Sequence, residues 1–473
     1  MANAPPTHEA HFVIGGNGFL GSSIVRLLQA RGEPSVHIFD LSQPLVPVEK
    51  VSYHVGDITK LDSLKRALSD ASNQNVSSTV SAAKGRGEVV IYHTASPVAG
   101  LAKELYEKVN VQGTENVIKA GKELGIRKLI FTSSAGVLFT GQDLINVDER
   151  LPYPEVPLDA YNDTKARAED AVLKANDSES STGLRTVALR PAGIFGVNDR
   201  QALPGFFQVL ATGRANMQIG DNENLFDWTY VDNVAHAHLL AADKLGEEIR
   251  QGKAASYASE RLGYEHLSEK IMAPEEAKRY RSVPTSESRP SPPGATDYAA
   301  SLPSTLVISE ENPLNERPLL RNKFDPFFHH VNPEITSVNN PLPESTETNL
   351  ACEHLEVSGQ AFFITNGQPI PFWDFPRALW AAVGTVVPKE KTWKLSKGVG
   401  LFLASAAEWG CWVMGKQPLF TKYKVTYTAC ARYYNIEKAR RLLGYEPIVG
   451  LEEGIRRSVQ WWKESHPELV QKS

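Results

Sequence analysis

The residues best suited to chemistry are a tyrosine and a lysine four positions apart, in Tyr161-Asn-Asp-Thr-Lys165. On a helix this spacing puts both side chains on one face. A phenol with an ordinary pKa of about 10 is a poor base at neutral pH, but an adjacent ammonium and a cationic nicotinamide favour the phenolate. The chemistry implied is proton transfer at an alcohol oxygen, with Lys165 as the tuning group. The spacing alone is not specific, because Tyr434-Asn-Ile-Glu-Lys438 matches it too. Context separates them. Tyr161 follows the Ser-rich strand end Phe131-Thr-Ser-Ser134 by 27 residues, whereas Tyr434 has no such partner and is expected in a surface helix. Ser134, just past the strand's carboxyl end, is placed to hydrogen-bond a substrate oxygen, with Ser133 as the neighbouring alternative.

A second group of residues suits a nucleotide. Phe12-Val-Ile-Gly15-Gly16-Asn-Gly18-Phe-Leu-Gly21 closes a strand and opens a helix, where glycines permit a tight turn and close backbone approach to a pyrophosphate. It fits two registers, GxGxxG from Gly16 and GxxGxxG from Gly15. Asp40 ends the next strand, 19 residues after Gly21, where a carboxylate accepts from both ribose hydroxyls and repels a 2′-phosphate. NAD is therefore expected over NADP. Asp57-Ile58 is expected beside the adenine, with Asp57 alternatively the N-cap of the next helix. His236 and His238 lie two apart on an expected helix, which points them away from a common metal, and they are read as structural.

The elements that must hold these groups alternate. Short β-branched runs at His11–Ile14, Val36–Asp40, Val89–His93, Lys128–Thr132 and Thr186–Leu189 are bounded by Gly, Pro, Ser or Asp, and segments such as Ser22–Arg31 and Val111–Leu124 carry helical spacing. The expected fold is α/β, a Rossmann-type doubly wound parallel sheet with a smaller C-terminal substrate lobe. Gln360–Thr365 reads as one more strand of that sheet. Three regions follow: 9–250 for the nucleotide and the reacting groups, 251–350 as a low-complexity insertion expected to be largely disordered, and 351–473 as the last strand plus the substrate lobe. Eleven of the thirty prolines fall between Arg281 and Ser345, too little apolar surface to offset ordering. The Ser/Asn-rich stretch Ser69–Gly87 is expected to be a surface loop.

At 473 residues with 50 basic and 55 acidic side chains, the chain has no global field to hold nucleic acid. Its three cysteines, Cys352, Cys411 and Cys430, lack the spacing of a disulfide framework or a zinc site, and Met1–His11 lacks a secretion signal. Seven of the eight tryptophans lie beyond Gly367, which suits an apolar ligand. Gly398–Gly415 carries Glu408 as its only formal charge; a buried helix of the second lobe and attachment to a membrane surface are weighed equally, ahead of a membrane span.

The motifs together resemble the extended short-chain dehydrogenase/reductases, and within them the sterol-4α-carboxylate 3-dehydrogenase (decarboxylating) and 3β-hydroxysteroid dehydrogenase family. The likeness runs through Ile14–Gly21, Val36–Asp40, Thr94-Ala-Ser-Pro97, Val109–Thr114, Phe131–Val137, Asn146-Val-Asp-Glu149, Tyr161–Lys165, Leu189–Gly196, Asn224–Val231 and Gly359–Thr365. It implies Ser134, Tyr161 and Lys165 as the catalytic set and NAD as cofactor. The cofactor would be held by Gly15, Gly18, Phe19, Leu20, Gly21, Asp40, Asp57, Ile58, Ala95, Ser96, Asn110, Tyr161, Lys165 and Pro191, with no metal. It implies oxidation of a 3β-hydroxyl on a 4α-carboxysterol, the other enzymes of sterol C4 demethylation as partners, and the cytoplasmic face of the endoplasmic reticulum membrane, with room for a homodimer. The chain departs from the pattern in its long insertion and in Asp232 and His236, where Gly and Asp are expected. The competing readings are a 3β-hydroxysteroid dehydrogenase/isomerase, a nucleotide-sugar epimerase, and a non-catalytic NAD-sensing protein or scaffold. An epimerase would need a cationic clamp for a second pyrophosphate, and a sensor would be free to lose Ser134, Tyr161 or Lys165.

Overall fold

The structure is a computed structural model that describes residues 5–44, 46–76, 88–98, 100–149, 151–251, 357–388, 391–414, 420–436 and 438–467. The expected insertion at 251–350 lies outside them apart from Gln251, which ends a helix; so does Cys352. In chain order the strands are β1 (Ala10–Ile14), β2 (Ser35–Asp40), β3 (Val51–Val55), β4 (Val89–His93), β5 (Lys128–Thr132), β6 (Leu144–Val147), β7 (Arg185–Pro191), β8 (Gly193–Phe195), β9 (Met217–Ile219), β10 (Leu225–Phe226), β11 (Trp228–Tyr230), β12 (Gln360–Ile364), β13 (Ile370–Pro371), β14 (Trp393–Leu395) and β15 (Arg432–Tyr434).

Seven of these form one sheet in the order β12-β7-β5-β4-β1-β2-β3, parallel throughout. Every residue of β1, β4, β5 and β7 is buried, as a sheet covered on both faces requires. Successive side chains feed two different cores. Val13, Val90, Tyr92, Ile130 and Val187 join the layer under helices Phe19–Arg31 and Val231–Gln251. Phe12, Ile14, Ile91, Leu129 and Phe131 join the opposite layer with Leu64, Val117 and Val172, from helices Leu61–Val76, Gly113–Glu123 and Ala160–Lys174. The predicted strand at Gln360–Thr365 is present as β12, in register with β7 from Gln360↔Val187 to Ile364↔Pro191. Chain on the far side of the insertion thus completes the sheet.

Asp232, the departure from the family pattern, has a use here. It accepts a hydrogen bond from Ser23 Oγ at 2.6 Å and pairs with Arg26, so it clamps the helix that follows the glycine loop to the helix after β11.

Two expectations change. Ser69–Val76 is not loop but the last turns of helix Leu61–Val76, whose apolar positions Leu64, Ala67, Leu68 and Ala71 are buried; only 77–87 fall outside the described residues. Gly398–Gly415 is not a core helix either. Helix Lys397–Val413 rests on helix Lys422–Ala429 through the buried Gly400 and Ala404, and leaves Val399, Phe402, Leu403 and Trp409 exposed at 51, 73, 45 and 69 %. Among the described residues no helix is long and apolar enough to cross a membrane.

A smaller four-stranded sheet, β13-β10-β15-β6, stands beside the carboxyl ends of the large one. Its aromatic core packs Trp228 flat on Phe375 at 4.1 Å between ring centres, and Phe207 on Trp462 at 4.5 Å. Trp373, Trp380 and Trp462 are buried in that part of the chain, so three of the clustered tryptophans build core rather than face a ligand. Phe362→Ala removes a fully buried ring of β12. It is expected to cost about 3–5 kcal/mol of unfolding free energy, read from urea denaturation; a loss under about 1 kcal/mol would show that β12 does not seal the sheet edge.

Candidate active site

The site is built where β1, β4 and β5 end. After β1 the chain turns through Gly15 at φ +80°, a left-handed conformation that favours glycine. A Cβ there would lie 3.0 Å from the Ala95 backbone, and one on Gly21 would lie 2.1 Å from the Gly15 carbonyl oxygen. A Cβ on Gly18 would lie 3.0 Å from the same oxygen. Of the two registers, these demands fall on Gly15, Gly18 and Gly21, while Gly16 is excluded from carrying a side chain by Ile38 of β2. The helix Phe19–Arg31, which includes Phe19 and Leu20, thus starts against an open run of backbone amides.

Asp40 stands beside this loop. One carboxylate oxygen accepts from Asn17 N at 3.0 Å and the other from Leu41 N at 2.8 Å, which orients the side chain at the edge of the cradle with lone pairs to spare. Asp57 closes a tight turn by accepting from Thr59 N at 2.8 Å and stands four residues ahead of Leu61, where helix Leu61–Val76 begins, so it is not that helix's N-cap. Ile58 is buried against Gly113, where a Cβ would come within 2.6 Å of its Cδ1. Pro191 ends β7. A loop that leaves no room for side chains, a helix start and an acidic strand end fit a dinucleotide with free ribose hydroxyls.

The reacting groups come from β5 and the helix Ala160–Lys174. Ser134 caps the short 3-10 turn Ala135–Leu138, accepting from Gly136 N at 3.0 Å. Asp159 caps the helix by accepting from Asn162 N at 2.8 Å, which sets Tyr161 and Lys165 on its inner face. The Tyr161 hydroxyl lies within hydrogen-bonding reach of Ser134 and Ser96, and its ring meets Tyr106 edge-on at 5.7 Å. Ser133 instead approaches Glu169, so of the two serines Ser134 is the one facing the phenol. Lys165, 2 % exposed, donates from Nζ to the Thr132 carbonyl at 2.5 Å and lies 4.1 Å from the centre of the Phe131 ring.

Burial pushes the Tyr161 phenol up to about 12, against the pull of Ser134 and Ser96. Burial likewise pulls Lys165 down to about 7, against the opposing charge of Glu169. One of the three ammonium N–H groups is spent on the strand end, which leaves two donors for a bound ligand.

Ser96 and Asn110 are joined. Ser96 Oγ donates to Asn110 Oδ1 at 2.9 Å, and Asn110 Nδ2 donates to Thr164 Oγ1 at 3.1 Å. Asn110 reaches inward from the π-helical segment Glu107–Gln112, a widened turn of the kind found at functional sites. Ser96, a nucleotide contact by the family resemblance, thus also stands beside the phenol.

Sequence reasoning missed the support beneath. Glu169, one turn beyond Lys165, accepts from Arg190 Nε at 3.0 Å and from the hydroxyl of the half-buried Tyr153 at 2.5 Å, with Glu169 and Arg190 both buried. The signal was legible as a third residue at helical spacing after Tyr161 and Lys165, and as an arginine inside the apolar strand β7. His238 holds a fixed neutral tautomer: Nδ1 donates to Val234 O at 2.8 Å and Nε2 accepts from Thr132 Oγ1 at 2.7 Å, and burial lowers its pKa to about 4. His236, half-buried, lies 6.4 Å from the Tyr445 ring. The second Tyr/Lys pair is placed differently from expectation. Tyr434 ends the buried strand β15 and stacks on Phe363 at 4.5 Å, while Lys438 donates to Ala361 O at 2.9 Å, so the pair ties β15 to β12.

A parallel sheet of this order, with a glycine cradle after β1 and a buried Ser, Tyr and Lys beside it, defines a Rossmann-type nucleotide-dependent oxidoreductase fold. Solved structures agree on the fold: a UDP-glucose 4-epimerase of Thermus thermophilus in complex with NAD superposes with a TM-score of 0.53 at 18 % identity, over 96 % of this chain and 99 % of that one. A dTDP-glucose 4,6-dehydratase of Bacillus anthracis with NAD gives 0.53 at 14 %, over 97 % and 98 %. Residues 12–258 match the 3-beta hydroxysteroid dehydrogenase/isomerase family. The chain belongs to that family. It is 37 % identical over 94 % of its length to the decarboxylating sterol-4-alpha-carboxylate 3-dehydrogenase of Schizosaccharomyces pombe, covering 95 % of that protein. It is 30 % identical over 95 % of its length to the enzyme of the same name from Homo sapiens, covering 87 %.

The lowered pKa of Lys165 makes a prediction of definite sign. The unfolded lysine is protonated up to about pH 10.5 and the folded one only to about 7, so between those values the unfolded state binds more protons and this group's contribution to stability falls as pH falls. Lys165→Met is expected to be more stable than the parent at pH 8 and to lose turnover. A variant less stable at pH 8 in urea denaturation would show that the Thr132 hydrogen bond outweighs the buried charge.

Proposed function

We propose that the chain is an NAD-dependent sterol-4α-carboxylate 3-dehydrogenase that oxidises the 3β-hydroxyl of a 4α-carboxysterol and releases the carboxylate as carbon dioxide. The observation that carries this reading is the Tyr161 hydroxyl held beside Ser134 at the mouth of the glycine cradle, in a chain similar over nearly all its length to proteins of that name. Residues 9–250 would hold nucleotide and reacting groups, and 351–473 would complete the sheet and face the sterol.

In this reading Tyr161 takes the proton of the 3β-hydroxyl while Ser134 holds that oxygen. Lys165 and Thr132 keep the helix and strand end in register, so the phenol stays over the same point. Ser96 and Asn110 carry the hydrogen-bond chain from the phenol to Thr164. Bound NAD supplies the hydride acceptor; Gly15, Gly18, Phe19, Leu20, Gly21, Asp40, Asp57, Ile58, Ala95 and Pro191 would hold it, with Asp40 on the adenosine ribose. The product ketone is β to the carboxylate. Its carbonyl takes the electron pair of the breaking carbon–carbon bond, so decarboxylation needs no further base from the chain.

Three consequences test the reading. Purified protein given NAD and a 4α-carboxysterol is expected to form NADH and carbon dioxide in step, and Tyr161→Phe is expected to lose about 10²–10⁴-fold in kcat with NAD affinity kept. Because burial holds the phenol up at about 12, phenolate is scarce at pH 7 and the oxidative rate should climb with pH. NADH without carbon dioxide would point to a plain 3β-hydroxysteroid dehydrogenase/isomerase, and undiminished turnover by Tyr161→Phe would remove the assignment.

Attachment to the cytoplasmic face of the endoplasmic reticulum, among the other enzymes of sterol C4 demethylation, belongs to the same proposal. The support is the stripe Val399, Phe402, Leu403 on helix Lys397–Val413, at i, i+3, i+4 spacing, with Trp393 77 % exposed nearby and the exposed Lys391, Lys394, Lys422 and Lys424 around it. Apolar residues ringed by lysines suit an anionic bilayer surface. Phe402→Glu together with Trp409→Glu is expected to cut sedimentation with phosphatidylserine-containing vesicles at least about tenfold; equal sedimentation would refute this role for the helix.

A further inference from the structure

Resting on the reading above, the site must hold an anion as well as an alcohol. Carbon 4 is bonded to carbon 3, so a 4α-carboxylate lies next to the hydroxyl that Tyr161 and Ser134 hold. A carboxylate taken from water into such a site needs a cation to meet it.

Most cations near the phenol are committed. Lys165 bonds the Thr132 carbonyl, Arg190 is paired with Glu169, and Lys397 donates to Cys430 Sγ at 3.3 Å. Arg432 of β15 is different. It is 6 % exposed, its Nη2 donates only to the Tyr427 carbonyl at 3.4 Å, and its Nε is buried without a partner. Among the described residues no carboxylate stands within ion-pairing distance of it.

Three aromatic rings hold the guanidinium instead, Tyr427 at 3.7 Å, Phe139 at 4.3 Å and Phe226 at 4.6 Å. Such contacts stabilise a cation without using its hydrogen-bonding edge. The location is set by neighbours on both sides. Phe139 ends the turn that Ser134 begins, and its carbonyl accepts from Leu158 N at 3.2 Å, just ahead of the helix carrying Tyr161. Tyr434, two residues along β15 and so on the same face as Arg432, reaches the Ala135 carbonyl at 3.5 Å.

We propose that Arg432 is the carboxylate-recognising residue of this site, its aromatic-held guanidinium pairing with the C4 carboxylate of the substrate and so selecting acidic sterols over plain 3β-hydroxysteroids. A planar guanidinium can present two parallel donors to a carboxylate, which a lysine cannot. The residue is a binding residue, not part of the proton path. Holding the carboxylate as an anion keeps its electron pair available until oxidation creates the ketone that accepts it.

The test compares two substrates and two variants. Arg432→Met keeps length and apolar packing within the aromatic cage; Arg432→Lys keeps charge but loses the fork, and serves if the methionine variant does not fold. For the 4α-carboxysterol, kcat/KM and equilibrium affinity are expected to fall about 10²–10³-fold in Arg432→Met and less in Arg432→Lys, chiefly through KM. For a 4α-methyl-3β-hydroxysterol lacking the carboxylate, kcat/KM should change less than about threefold, as should the NAD dissociation constant. Equal losses on both sterols would show a structural role, and unchanged handling of the carboxysterol would show no role; either overturns the proposal. The affinity arm separates it from the reading it rests on. A parent protein that binds the carboxysterol through Arg432 yet produces no NADH would uphold the anion site and refute the dehydrogenase assignment, whereas a parent that does not bind it refutes the anion site.

Discussion

The hydrogen bond from the Lys165 ammonium to the Thr132 carbonyl is the contact on which the rest of the site depends. It joins the inner face of helix Ala160–Lys174 to the end of β5, and those two elements carry Tyr161 and Ser134. A buried ammonium is unfavourable unless its hydrogen bonds and charge are met. Thr132 O, the face of Phe131 and the nearby Glu169 do so together. Glu169 is in turn neutralised by Arg190 of β7, and Thr132 is oriented by His238. Charges and strand ends interlock across four elements, so the phenol's position is a property of the sheet and not of one helix.

The same logic divides labour between the two ends of the chain. The glycine turn after β1 and the acid at the end of β2 need only local backbone and a neighbouring strand. The substrate side needs chain from far away: β12 seals the sheet beside β7, and β15 brings Arg432 and Tyr434 against the turn that Ser134 starts. Aromatic packing holds that second layer, in which Trp228 stacks on Phe375 and Phe226 packs against Trp228 and, edge-on, Phe372. The insertion between Gln251 and Val357 interrupts the sequence of the sheet but not its hydrogen bonding, since β7 and β12 pair in unbroken register.

Family membership rests on the whole chain, and the site gives it physical content. A phenol, a serine and a lysine at the mouth of a glycine cradle suit proton transfer from an alcohol next to a nucleotide. The apolar helix face at Lys397–Val413 and the unpaired guanidinium at Arg432 are features that nucleotide and alcohol chemistry alone do not call for. They match a ligand that is greasy at one end and acidic at the other.

Much of this was written in local pattern. β4 and β5 fall at the residues their apolar runs predict, β1, β2, β7 and β12 differ by one or two residues at their ends, and the glycine loop, Asp40, Ser134, Tyr161 and Lys165 are recognisable because each depends on near neighbours, through a tight turn, a strand end or one helical turn. The assignment of β12 was also legible, from a short apolar run flanked by glycine and threonine. What tertiary structure alone decided was every interaction between residues distant in sequence. Spacing cannot show that Lys165 would reach the Thr132 carbonyl, since that depends on which acceptor is closer. Nor can it show that Tyr434 would be a buried strand end, that helix Lys397–Val413 would lie outermost, or that Arg432 would enter an aromatic cage with no acid to meet it. A side chain's chemistry is local, but its solvent and its partners are set by the packing of the whole chain.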